Sequence, residues 1–155
     1  MLFKILSISN GWFEIDFNRQ FVLTNSDYLG CDAPALFLEA IGNLLESKVT
    51  EQWLCWQDEP GAYILRLERD SDRLIVEIYD TNEDSMSLEY SGISLSEHIT
   101  KCLYRTEADI KKATKSVLNE FELYENGNGQ QRYKYHWGEL PQQNYNRLKG
   151  LMRIK

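Results

Sequence analysis

Histidine occurs twice in the 155 residues and cysteine three times, and the spacing of neither suits a metal. Cys31, Cys55 and Cys102 stand 24 and 47 residues apart. An odd number at these distances matches no zinc knuckle and no secreted disulfide framework. Reduced thiols in a cytosolic protein are the simplest account. His98 sits beside Glu97 in a predicted helix, where a structural or solvated histidine is expected. P-loop, HExxH and CxxC motifs are all missing. Neither a nucleotide-driven nor a metal-dependent enzyme is therefore expected, and no cofactor. No run approaches the roughly 18 apolar residues of a membrane span. The first residues, "MLFKILSISNGW", lack the sustained apolar stretch and small-residue cleavage site of a signal peptide. A cytoplasmic location is the expectation. Internal repeats and low-complexity linkers are also lacking.

Acid and aromatic residues are what the chain has. The net charge is −7 and the isoelectric point is about 4.9, which argues against nucleic acid or an anionic membrane as partner. The charge is uneven. Residues 126–155 carry six Lys/Arg and only Glu139 as acid. Residues 51–97 hold twelve acids against Arg66, Arg69 and Arg73. With 43% hydrophobic and 12% aromatic residues, the chain can bury a core as one domain, 1–155.

Asn10-Gly11 between apolar runs 2–8 and 12–17 predicts a hairpin with a type I′ turn, and "QFVLT" (20–24) a third strand. Asp32-Ala-Pro34 opens an amphipathic helix over 33–47, with Gly42 allowing close packing on the sheet. Residues 51–79 read as an antiparallel meander, with a type II turn at Pro60-Gly61 and a second turn at 69–72. "MSLEY" (86–90) predicts one more strand. The capping-box pattern Ser94-Leu-Ser-Glu97 predicts a helix through Leu95, Ile99, Cys102 and Leu103. Thr106-Glu-Ala-Asp109 precedes a second helical run through Ile110, Ala113, Val117, Phe121 and Tyr124, ended by Asn126-Gly-Asn-Gly129. Whether 95–125 is one helix or two stays open. "QRYKYHW" reads as extended, and Pro141 starts a last helix. The fold class is α+β: an antiparallel sheet of about 5–7 strands with helices packed on one face.

Catalytic readings are weak. Asp58 and Glu59 are adjacent on an exposed turn, which disfavours acid–base work. Trp53 and Trp56 fall on opposite faces of a strand, one of them in the core. Gly92-Ile-Ser-Leu-Ser96 lacks the final glycine of a nucleophile elbow, and Ser94 reads as a helix cap. Gly127-Asn-Gly129 follows a helix, so it is no dinucleotide fingerprint. The sharper candidate is a protein-binding loop. It comprises Asp80, Glu83, Asp84 and Glu89, flanked by Tyr79 and Tyr90. Carboxylates steer a basic partner and aromatics anchor it.

Residues 32–45 ("DAPALFLEAIGNLL"), the "EPGAYILRLERDSDRLIVEIYD" meander and "YKYHWGELPQQNYNRLKGL" together resemble the layout of small acidic bacterial proteins of unknown function. Some of these are immunity-type partners of toxins. The resemblance implies a bacterial cytosolic source and carries no catalytic residue across. The expected function is a non-enzymatic module that binds and neutralises a basic toxin, of nuclease type for example. The alternative is a small-ligand-binding domain or minor enzyme, with a pocket between sheet and helices lined by Trp53 or Trp56, Tyr63 and Tyr135.

Overall fold

The structure, a computed structural model, describes residues 2–26, 31–59, 61–83 and 87–153. Two antiparallel sheets and four helices make an α+β fold. The predicted single sheet is divided into one of three strands and one of four.

The first sheet contains β1 (Phe3–Ser9), β2 (Trp12–Phe17) and β3 (Phe21–Ser26) in that order. Asn10 and Gly11 have φ of 49° and 79°, the two positive angles of the predicted turn, and Ser9 pairs with Trp12. Alternation puts Phe3, Phe13, Ile15, Phe17 and Leu23 inside. The outer edge of β1 is not left open. The Ser116 hydroxyl accepts from Phe3 N (3.3 Å) and donates to Phe3 O (3.1 Å), and Glu120 accepts from Ile5 N (3.0 Å). A helix thus covers backbone groups that would otherwise template aggregation.

The first helix, α1, spans Ala33–Leu45, and the Asp32 side chain accepts from Ala35 N. Its last carbonyls, Leu44 O and Leu45 O, accept from the Arg69 guanidinium at 2.8 and 2.9 Å, which satisfies groups the helix leaves bare. Gly42, expected to allow close packing on the sheet, instead faces Arg147 of the last helix, α4 (Gln142–Arg153). A Cβ there would lie 3.1 Å from the Arg147 guanidinium. Arg147 instead uses the space to donate to Asn43 Oδ1 (2.9 Å) and Glu46 Oε2 (2.6 Å).

The second sheet runs β4 (Glu51–Asp58), β5 (Gly61–Asp70), β6 (Arg73–Thr81) and β7 (Ile99–Asp109). The meander is as predicted, but the type II turn centred on Pro60-Gly61 is not: Gly61 already pairs with Asp58 as the first residue of β5 and is not among the glycines with positive φ, and Pro60 lies outside the described residues. Leu54, Trp56, Leu65, Leu67, Leu74, Val76 and Ile78 join the inner faces of the first sheet and the helices in one core. Trp53, Cys55, Ala62 and Ile64 point the other way into a smaller cluster closed by Leu88 and Leu95. Trp53 and Trp56 therefore do lie on opposite faces, and both are buried.

Three predicted elements are corrected. Described residues 87–90 form no strand; a single bridge joins Ser91 to Leu54. The helix predicted from Ser94 is a short 3₁₀ turn, Ile93–Glu97, whose N-cap is Gly92, so Ser94 lies inside the turn rather than capping it. The chain then enters β7, 11 residues long, so 95–125 is one strand and one helix. Pairing with β6 and the β-branched and aromatic residues Ile99, Thr100, Tyr104 and Thr106 outweigh the helical spacing. α2 (Ile110–Glu122) begins where the Asp109 side chain accepts from Lys112 N at 2.8 Å, and its Ala113, Val117 and Phe121 are buried as expected. Finally, "QRYKYHW" lies in a helix, α3 (Gly127–His136), so Gly127-Asn-Gly129 opens a helix rather than closing one. Buried Tyr133 holds α3 down, edge-on to Tyr124. α4 (Gln142–Arg153) follows Pro141 and buries Tyr145 and Leu148.

Candidate functional site

The predicted loop site is pulled apart. Tyr79 and Asp80 are consecutive on β6 and so face opposite ways. Tyr79 packs on Trp53 (ring centroids 6.0 Å apart) and donates its hydroxyl to Glu77 at 2.9 Å. Burial, with the bond to Glu77 next, pushes its phenol up to about 12. Tyr79 is thus an internal packing group rather than an exposed anchor. Glu83 is exposed, 3.4 Å from His98 Nδ1. Asp84 lies outside the described residues. Glu89 and Tyr90 sit at the other edge of the sheet, where Tyr90 O accepts from Cys55 N at 2.9 Å. They line a cleft of about 460 Å³ with Cys31, Asp32, Ala35 and Leu36.

Two groups of carboxylates on the sheets differ in how they are paired. On the face of the second sheet that carries Trp53, Arg66 binds Glu51 (3.0 Å), Glu68 (2.9 Å) and Glu77 (2.9 Å), and Arg105 binds Glu77 at 3.1 Å. Arg66 also lies 5.6 Å from the Trp53 ring centroid. Burial opposes ionisation of Glu77, but the bonds from Arg66 and Tyr79 outweigh it and hold its carboxyl below the usual range. These acids are neutralised within the fold.

The second group is not. Asp58 ends β4 and accepts from the Thr24 hydroxyl of β3. Glu14 is directly across from Thr24 on β2, and Asp16 follows on the same face. Asp80 is paired across the sheet from Tyr63. Burial raises the Tyr63 phenol above its ordinary value, followed by the charges of Asp58 and Asp80 and a hydrogen bond to Asp58. Glu59, in the turn after Asp58, is exposed. Among the described residues none of Glu14, Asp16, Asp58, Glu59 and Asp80 has a Lys or Arg within ion-pair distance. Asp58, Asp80 and Glu14 come from both sheets and approach Thr24 and Tyr63, whereas Asp16 stands directly across from Lys4 of β1. Sequence reading missed Glu14 and the part Asp58 plays. Only the contact of β3 with β4 brings them together, and no local pattern announces it.

All three cysteines are free, with Cys31 and Cys55 buried. Burial pushes their thiols up to about 12 and about 11, which suppresses the reactive thiolate. His136 Nδ1 accepts from Asn10 N at 3.2 Å, a structural contact. No group of three or more metal-ligating side chains gathers among the described residues. Nor is any described helix long and apolar enough to cross a membrane. The aromatic residues of the alternative reading do not share a pocket. Trp56 is packed edge-on to Phe37 in the core, Tyr63 against Phe21, and Tyr135 is 83% exposed. Trp53 lines a separate cleft of about 340 Å³ with Val49, Glu51, Gln52 and Ile93.

In comparisons with known proteins, no family model, curated sequence or solved structure matches the chain.

Proposed function

We propose that this chain is a non-enzymatic binding module whose acidic end receives a basic protein surface. The observation that carries the reading is the set Glu14, Asp58 and Asp80, whose neighbours in the fold are Thr24 and Tyr63 rather than a Lys or Arg, with Glu59 exposed in the adjoining turn. Glu83 extends it along the chain beyond β6. Carboxylates left unneutralised at one end raise the encounter rate with a positive surface and reject a negative one. The particular form we propose is an immunity protein of the bacterial cytoplasm that occupies the nucleic-acid-binding surface of a basic toxin domain. No catalytic group is assigned. The test is co-purification of the tagged chain from its native host. A strongly basic protein, captured at low salt and released as salt rises, is the expected result. Capture of an acidic or neutral protein that resists salt overturns the proposal.

A further inference from the structure

Asn-Gly occurs three times, at Asn10-Gly11, Asn126-Gly127 and Asn128-Gly129. This dipeptide is prone to deamidation because no side chain shields the glycine nitrogen. That nitrogen loses its proton and attacks the asparagine Cγ. The Cγ–Nδ2 bond breaks, ammonia leaves, and a five-membered succinimide remains. Water then opens the ring at either carbonyl, giving aspartate or isoaspartate. The nitrogen must be free to ionise, and the backbone must have room for the ring.

The three sites differ on both counts. Gly11 N donates to His136 O at 2.7 Å, and Asn10 N donates to His136 Nδ1 at 3.2 Å. The C-terminus of α3 therefore ties down the attacking nitrogen of the hairpin turn. Gly129 is crowded: a Cβ on it would lie 2.0 Å from Leu123 O. Asn126 is open. It is exposed and extended (φ −140°, ψ 157°), and its side chain makes no capping bond. Gly127 occupies the first position of α3, where the N–H has no partner within the helix. Nothing comes within 4 Å of a Cβ built on Gly127.

We propose that Asn126 is a site of spontaneous deamidation in the folded protein and that α3 shields Asn10 from the same reaction. The two sites have different consequences. Aspartate at 126 puts a carboxylate at the N-terminus of α3, a favoured N-cap. Isoaspartate at 10 lengthens a two-residue turn and breaks the Ser9–Trp12 register. Release of α3 would thus expose the hairpin to irreversible damage.

The experiment is incubation of the full chain in mildly alkaline buffer, folded and in concentrated urea. Peptide mapping then follows each asparagine, with separation of the aspartyl and isoaspartyl forms. In the folded chain Asn126 converts, and Asn10 converts at least about tenfold more slowly, the factor that one net hydrogen bond corresponds to. In urea the two rates come together. His136→Ala, which keeps the carbonyl that holds Gly11 N, leaves the protection of Asn10 in place. Equal rates at Asn10 and Asn126 in the folded chain overturn the proposal. So does an Asn126 that survives folded incubation yet converts in urea.

Discussion

At the scale of single residues, Glu46 ties α1 to α4 and makes its own test. Its hydrogen bond from Arg147, then that from Lys48, holds the carboxyl down to about 2 from an ordinary 4.5. A carboxyl that ionises more readily folded than unfolded contributes stability above its ordinary value and loses it as pH falls toward the folded value. Between pH 4.5 and about 2 the melting temperature of the wild type should therefore fall more steeply than that of Glu46→Gln, and the two curves should converge near pH 2. Parallel curves across that window would place the pair outside the folding reaction. Arg66 has a different role. It gathers Glu51, Glu68 and Glu77 on one face of the second sheet and so removes them from the charge available to a partner.

At the scale of elements, what could be read in the sequence depended on how local each signal is. Asn10-Gly11 sets its turn from two residues, and Asp32-Ala-Pro34 starts α1 from three, so both elements formed where expected. The alternation of Leu65, Leu67, Leu74, Val76 and Ile78 likewise gave the meander its inner face. Residues 99–109 misled because Leu95, Ile99, Cys102 and Leu103 carry helical spacing while the partner strand lies some twenty-five residues earlier in the chain. A pairing of that separation leaves no mark in a short window. α3 escaped because one buried residue, Tyr133, holds it, too few for a period to be seen. The meander register makes a sharp prediction. Val76 is buried between Leu67 and Thr106 of the neighbouring strands. Val76→Asp would bury an unpartnered charge and should cost several kcal/mol, by the usual penalty for such burial. An unchanged melting temperature would mean that Val76 does not face the core.

At the scale of the whole molecule, the uneven charge of the sequence becomes a division of labour. The acids of residues 51–97 do not share one surface of the fold. One set is closed off by Arg66 and Arg105. Another, Asp58 and Asp80, lies toward Thr24 and Glu14 of the first sheet. Charge counts along the chain could show the excess but not the pairing, because neutralisation is settled by strand register. The measurement that tests this most directly uses the captured partner. Its association with the wild type and with Glu59→Gln/Asp80→Asn/Glu83→Gln, three exposed positions, would be timed at two ionic strengths. Folding stability should change by no more than about 0.5 kcal/mol per exposed position. The association rate should fall, and its dependence on salt should flatten, because three attracting charges are gone and salt has less to screen. An unchanged rate with an unchanged salt slope would contradict the account and leave the acidic end a solvated surface.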